Sequence, residues 1–250
     1  MENKKNTILL TVIAVATLLV AVVGATFAYF TATEGKGQQT NVTVKTGTGS
    51  SSAFTVTDTL SIYADETTFG ENKKSSAGTS TGEVKWTAPG STDNYTPSET
   101  ERTFCYTVSL VIDSNSFRYD EAGSTTGTAQ LLFNISRGVG ETDGSTGALT
   151  EIKTGIDGLT YVSTPVSGMS TDVDGQTTTF TGWDITTAAK NTYQIGGQYK
   201  MIAAETTKGA KVQTMTDKWS ATVTLVNLAA NQNYNTGKTL NATLKYDKCA

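Results

Sequence analysis

The strictest constraint in this 250-residue chain is a two-residue rhythm. Residues 103–112 put Phe104, Tyr106, Val108 and Leu110 at every second position, and residues 219–228 do the same with Trp219, Ala221, Val223 and Leu225. Leu240, Ala242, Leu244 and Tyr246 repeat it near the end. A strand turns successive side chains to opposite faces, so this rhythm predicts half-buried strands and leaves no room there for a helix of period 3.6. Phe54, Val56, Leu60 and Ile62 form a similar face, as do Leu131, Phe133 and Ile135. Weaker strands are expected at 83–87 with Trp86, at 177–185 with Phe180 and Trp183, and at 193–204 with Tyr193, Ile195, Tyr199 and Met201.

Turn compositions separate these runs. Pro89-Gly90 stops one strand and Asp113-Ser114-Asn115-Ser116 ends another. Residues 65–81 read as a polar surface loop, 138–174 as an irregular region around short apolar patches, and the last two strands as a hairpin across the Asn-rich connection 231–235. With 49 Thr and only 3 Pro, β-branched polar residues are available for many solvent-facing strand positions. The expectation is an all-β fold, a two-sheet sandwich of jelly-roll or Greek-key type over residues 48–250.

A different pattern precedes the sandwich. Lys4 and Lys5 are followed by an uncharged, largely apolar stretch over residues 7–30, ending in Gly24-Ala25-Thr26-Phe27-Ala28. The charged start, apolar middle and small-residue end are the three parts of a removable signal peptide, with Thr26 and Ala28 at positions −3 and −1 if the cut falls before Tyr29. The same stretch is long enough to cross a bilayer, so an uncleaved membrane anchor is the alternative form of this N-terminal signal/transmembrane helix. The expected organisation is therefore residues 1–28 as signal or anchor, 29–47 as an N-terminal arm, and 48–250 as the sandwich.

Val23-Gly24-Ala25-Thr26-Phe27-Ala28-Tyr29-Phe30 resembles the signature of exported Gram-positive proteins cut by a SipW-type signal peptidase, the TasA/camelysin family. The resemblance is specific over about residues 8–33. Beyond it, Trp86-Thr87-Ala88-Pro89, Phe104-Cys105-Tyr106 and Asn235-Thr236-Gly237-Lys238 are similar to exported proteins without an agreed activity. The resemblance implies a secreted or cell-surface structural protein, a biofilm-matrix fibre subunit that meets the membrane during export and then polymerises or joins other matrix proteins. On that reading the arm acts as a donor strand, with Tyr29, Phe30, Val42 and Val44 as anchoring side chains. A surface-displayed, adhesin-like module that binds carbohydrate or protein is the alternative, with Trp86, Trp183 and Trp219 as a sugar platform if they are exposed rather than in the core.

Other classes are excluded or disfavoured by what the chain lacks. It has no histidine, which removes Ser-His-Asp and Cys-His catalysis and the usual zinc sites. A metalloprotease activity associated with camelysin-type proteins is not carried over, since no HExxH motif exists. Asp172-Val173-Asp174-Gly175 starts like a calcium loop, but Trp183 stands where the bidentate Glu belongs. No cofactor and no enzymatic role are expected. A net charge of −4 gives no basic footprint for nucleic acid. Cys105 and Cys249 are the only cysteines, and in an exported chain the even count reads first as one disulfide, with two free thiols as the alternative.

Overall fold

The computed structural model describes residues 44–45, 50–70, 73, 75–91, 95–141, 145–171, 177–205 and 212–249. The expected signal, with Thr26 and Ala28, and the arm residues Tyr29, Phe30 and Val42 lie outside these residues. Val44 is described through its backbone alone. Among the described residues no helix is long and apolar enough to cross a membrane.

Twelve strands make up the described fold: β1 Val44–Lys45, β2 Ser51–Val56, β3 Leu60–Tyr63, β4 Ser76–Thr87, β5 Thr103–Asn115 and β6 Leu131–Gly138. They continue with β7 Thr150–Glu151, β8 Thr160–Thr171, β9 Thr177–Asp184, β10 Asn191–Ile202, β11 Thr214–Leu225 and β12 Thr239–Lys248. A large sheet runs β1-β2-β4-β11-β6-β9-β8, with β7 also paired to β6, and a small sheet runs β10-β5-β12-β3. Every pairing is antiparallel.

The topology is that of a jelly roll. If β3, β4, β5, β6, β9, β10, β11 and β12 are counted from first to eighth, the small sheet reads first-eighth-third-sixth and the large sheet second-seventh-fourth-fifth. That is the order produced by two interlocked Greek keys. The hairpin β1–β2 widens the large sheet on one side and β8 widens it on the other.

Inward-facing residues of the two sheets meet in one core, as the period-2 pattern requires. Phe54, Trp86, Phe104, Tyr106, Trp219 and Tyr246 form a continuous aromatic run through it, with neighbouring ring centroids 5.9–6.4 Å apart. Such spacing suits offset and edge-on ring contacts. Gly82 makes room for this run, because a Cβ there would stand 2.2 Å from the Tyr246 hydroxyl. A smaller cluster lies elsewhere: Leu132, Val226 and Leu228 are covered by Val162, Val166 and Phe180 of the β8–β9 ribbon. Leu131 and Leu132 are therefore both buried, one in each cluster.

Several expectations change. Residues 76–81, expected in a loop, are the first half of β4, held by a continuous register with β11 from Ser76↔Leu225 to Thr87↔Thr214. The irregular stretch contains the 12-residue strand β8, whose register with β9 shifts twice. The last two strands do not form a hairpin. β11 lies in the large sheet and β12 in the small one, so the connection between them crosses the sandwich.

Burial and the facing Asp217 carboxylate push the Tyr106 phenol well above its ordinary range, and burial does the same for Tyr246. Burial and Asp184 push Tyr119 to about 12, and burial raises Tyr199. A tyrosine with a raised folded-state pKa favours the fold fully below the unfolded value of about 10 and progressively less above it. Stability should thus be insensitive to tyrosine ionisation at neutral pH and fall as pH climbs past about 10. Tyrosinate absorbance recorded beside circular dichroism should show these phenols ionising together with unfolding. Smooth ionisation of all 10 tyrosines in a still-folded chain would contradict the assignment.

Candidate functional site

Three features of the described chain bear on function: the disulfide, the arm's end at the sheet edge, and a groove on the outer face of the large sheet. Cys105 sits on β5 facing away from the core, and Cys249 directly follows β12, the neighbour of β5. Their sulfurs are joined, their Cα atoms are 5.3 Å apart, and the Cys249 N–H donates to the Cys105 carbonyl at 3.1 Å. The link closes 144 residues and fastens the last strand to the middle of the small sheet.

The end of the arm is a strand. Val44 and Lys45 pair antiparallel with Ser52 and Ser51, so β1 forms the outermost strand on that side of the large sheet. None of the other expected anchoring residues, Tyr29, Phe30 and Val42, falls within the described residues. Trp86, Trp183 and Trp219 are 3, 4 and 1% exposed, so they are core residues and do not form the alternative sugar platform.

The groove, of about 390 Å³, lies across β2, β4 and β11. Outward-facing Thr55, Thr57, Thr81 and Ser220 line it together with Glu83 and Lys218. Glu83 and Lys218 stand directly opposite each other in the β4–β11 register, yet neither forms an ion pair among the described residues. Thr57 and Thr81 are locked together: their hydroxyls are 2.8 Å apart, and the Thr81 N–H donates to the Thr57 hydroxyl at 3.2 Å. Leu149, 54% exposed, forms the apolar wall. It reaches this position over Gly138, where a Cβ would meet the Gly147 carbonyl at 2.6 Å and lie 3.6 Å from the Leu149 side chain.

Beneath the groove, on the inner side of β11, lies a buried charged hub. Asp217 is completely buried and its Oδ2 accepts from Arg137 Nε at 2.9 Å, from Arg137 Nη2 and from the Tyr106 hydroxyl. Its other oxygen accepts from the Gly140 N–H at 2.6 Å. Trp219 Nε1 donates to the Tyr106 hydroxyl at 3.2 Å, and the Arg137 guanidinium lies over the Tyr199 ring at 4.8 Å. The carboxylate thus ties together β5 of the small sheet, β6 and β11 of the large sheet and the loop that carries Leu149, and its Arg137 partner adds β10.

Sequence reasoning missed Arg137 and Asp217, though a signal existed. Asp217 continues the inward parity of Met215 and Trp219, and Arg137 that of Leu131, Phe133 and Ile135. Opposite charges on core-facing positions of two strands predict a buried pair, since an isolated charge there would be prohibitively costly. A second polar cluster sits on the β6–β7 side of the large sheet. Burial would raise the Glu151 carboxyl, but hydrogen bonds from Asn134, Tyr161 and Lys153 hold it below its ordinary value. Among the described residues no group of acids or cysteines could hold a metal ion.

No family model, no curated protein and no solved structure matches this chain.

The disulfide yields a direct expectation. Replacing both cysteines, Cys105→Ser with Cys249→Ser, should cost about 2–5 kcal/mol of stability, because the open chain regains the freedom that the 144-residue closure removes. Urea unfolding of the double variant, or of the native protein with reductant, measures it. An unchanged midpoint would show that β12 is held by its strand pairing alone.

Proposed function

We propose that this chain is an exported structural protein of the cell surface or extracellular matrix, whose copies join through the arm at residues 29–45. The observation that carries the reading is the pairing of β1: the arm's last residues already take up strand conformation at the edge of the large sheet. An arm that adds a strand to its own sheet can add the same strand to a neighbour's, exchanging identical contacts between copies. Head-to-tail exchange does not close, and it generates a filament. In this mechanism main-chain hydrogen bonds supply the affinity. Tyr29, Phe30, Val42 and Val44 supply the side chains that fix register.

Export is supported by two independent features. Residues 1–28 have the three-part pattern of a signal, with Thr26 and Ala28 preceding Tyr29, and a SipW-type signal peptidase is the partner that would release it. The Cys105–Cys249 disulfide fits an oxidising, extracytoplasmic location. Retained, the same segment would leave the sandwich tethered to the membrane. A structural rather than catalytic role is supported by the lack of histidine, and the net charge of −4 argues against nucleic acid as a partner.

Removing residues 29–45 from the mature protein should leave the disulfide-linked sandwich folded and abolish filaments seen by electron microscopy. Filaments of unchanged number and length would refute assembly through the arm.

A further inference from the structure

We propose that the groove across β2, β4 and β11 docks a second copy of this chain, packed face to face about a two-fold axis that runs along the strands between β4 and β11. The register of the sheet carries the inference. Thr55 of β2 stands opposite Glu83 of β4, Glu83 opposite Lys218 of β11, and Lys218 opposite Gly138 of β6, over which Leu149 lies. One row across the outer face thus reads threonine, acid, base, apolar side chain. A half-turn about that axis sets the partner's β4 over β11 and the partner's β11 over β4, so a contact made once is made twice. The partner's Glu83 then faces Lys218, the partner's Lys218 faces Glu83, and the partner's Leu149 comes to lie over Thr55. The remaining outward pairs meet without like charges: Thr81 with Ser220, Lys85 with Thr216 and Thr87 with Thr214.

The surface chemistry agrees with that geometry. The lining of the groove is mostly carbon. The Thr57 hydroxyl donates to the Thr81 carbonyl at 3.0 Å and lies 2.8 Å from the Thr81 hydroxyl, so these polar groups are satisfied within the sheet. What the groove offers a partner is apolar surface, and Leu149, 54% exposed, is the apolar side chain that the two-fold delivers to it, once in each direction. Glu83 and Lys218 are exposed and neither has an ion-pair partner among the described residues, so both can pair across copies. The face from the pair Thr79↔Thr222 to the pair Thr87↔Thr214 is about 30 Å long, and four strands make it about 19 Å wide. Farther along, the β8–β9 ribbon already covers Leu132 and Val226. Two copies therefore bury on the order of 1,200 Å², the lower edge of the range for stable interfaces, which fits pairing at micromolar concentrations. The contact is isologous and closes at two copies, whereas exchange of the arm runs on, so the two contacts are independent.

Sedimentation velocity of the full exported chain, with electron microscopy of any filaments, tests the proposal. At about 100 µM copies should pair, as dimers where the arm forms no filament and as filaments lying side by side where it does, so failure of the arm contact and failure of this one are told apart. Glu83→Lys and Lys218→Glu should each weaken pairing about tenfold or more, since symmetry turns two attractive contacts into two repulsive ones. Mixing the two variants in equal amounts should restore pairing, because each lysine of one copy then meets a glutamate of the other. A merely structural effect of either substitution has no route to that rescue. Leu149→Asp, a change at an exposed position, should abolish pairing, and a native circular dichroism spectrum and urea midpoint in each variant separate these losses from unfolding. Unpaired chains or unpaired filaments at about 100 µM overturn the proposal. So does a mixture of the two charge variants that pairs no better than either alone, and so does pairing that survives Leu149→Asp in the folded protein.

Discussion

The packing of the two sheets turns on one buried carboxylate. Asp217 has no access to solvent, and the four groups that donate to it come from a strand of each sheet and from the loop following β6. A buried ion pair gains little over a well-packed apolar substitute, since desolvation offsets most of the Coulomb attraction. Its consequence lies in specificity. Sliding β11 against β6 by one residue would turn Asp217 outward and leave Arg137 charged and unpaired under Tyr199. The aromatic run around it tolerates small displacements, whereas the carboxylate accepts a single arrangement of donors.

This hub also joins the inside of the molecule to its candidate surface sites. The residue after Asp217 is Lys218, on the groove side of the strand, and the next inward residue is Trp219, beneath the groove floor. Gly140, which donates to Asp217, anchors the loop that brings Leu149 over Gly138. On the opposite face of β5, Cys105 neighbours Tyr106 and receives the disulfide from the end of the chain. Sheet register, groove shape and the last strand's attachment thus depend on residues within a few positions of one another in β5 and β11.

Much of the fold was legible because alternation is a local property. The faces of β5, β11 and β12 can be read from Phe104, Trp219 and Leu240 onward, and two sheets follow once such strands are numerous and no helical period interrupts residues 48–250. Which sheet a strand joins is not local. β11 and β12 carry the same rhythm and read as a hairpin, yet each pairs with distant strands, because an apolar face packs equally well from either layer. The first half of β4 was hidden for a different reason: Ser76, Ala77, Gly78 and Thr79 have no large side chains, and β11 supplies the pairing that makes them a strand. In β8 the two register shifts break the alternation that would have revealed it. The groove was illegible because it is built from outward threonines, which look like any solvated face until β2, β4 and β11 are set side by side.

The disulfide and the edge strand β1 support the proposed export, in which a cut before Tyr29 would release both the domain and its arm. On that proposal, export and assembly would depend on the same peptide bond. The most direct test is N-terminal sequencing of the protein recovered from the medium of a Gram-positive host carrying a SipW-type signal peptidase. A sequence beginning at Tyr29 is the predicted result. Protein found only in the cell fraction, with none in the medium and an N-terminus at Met1, would contradict the account.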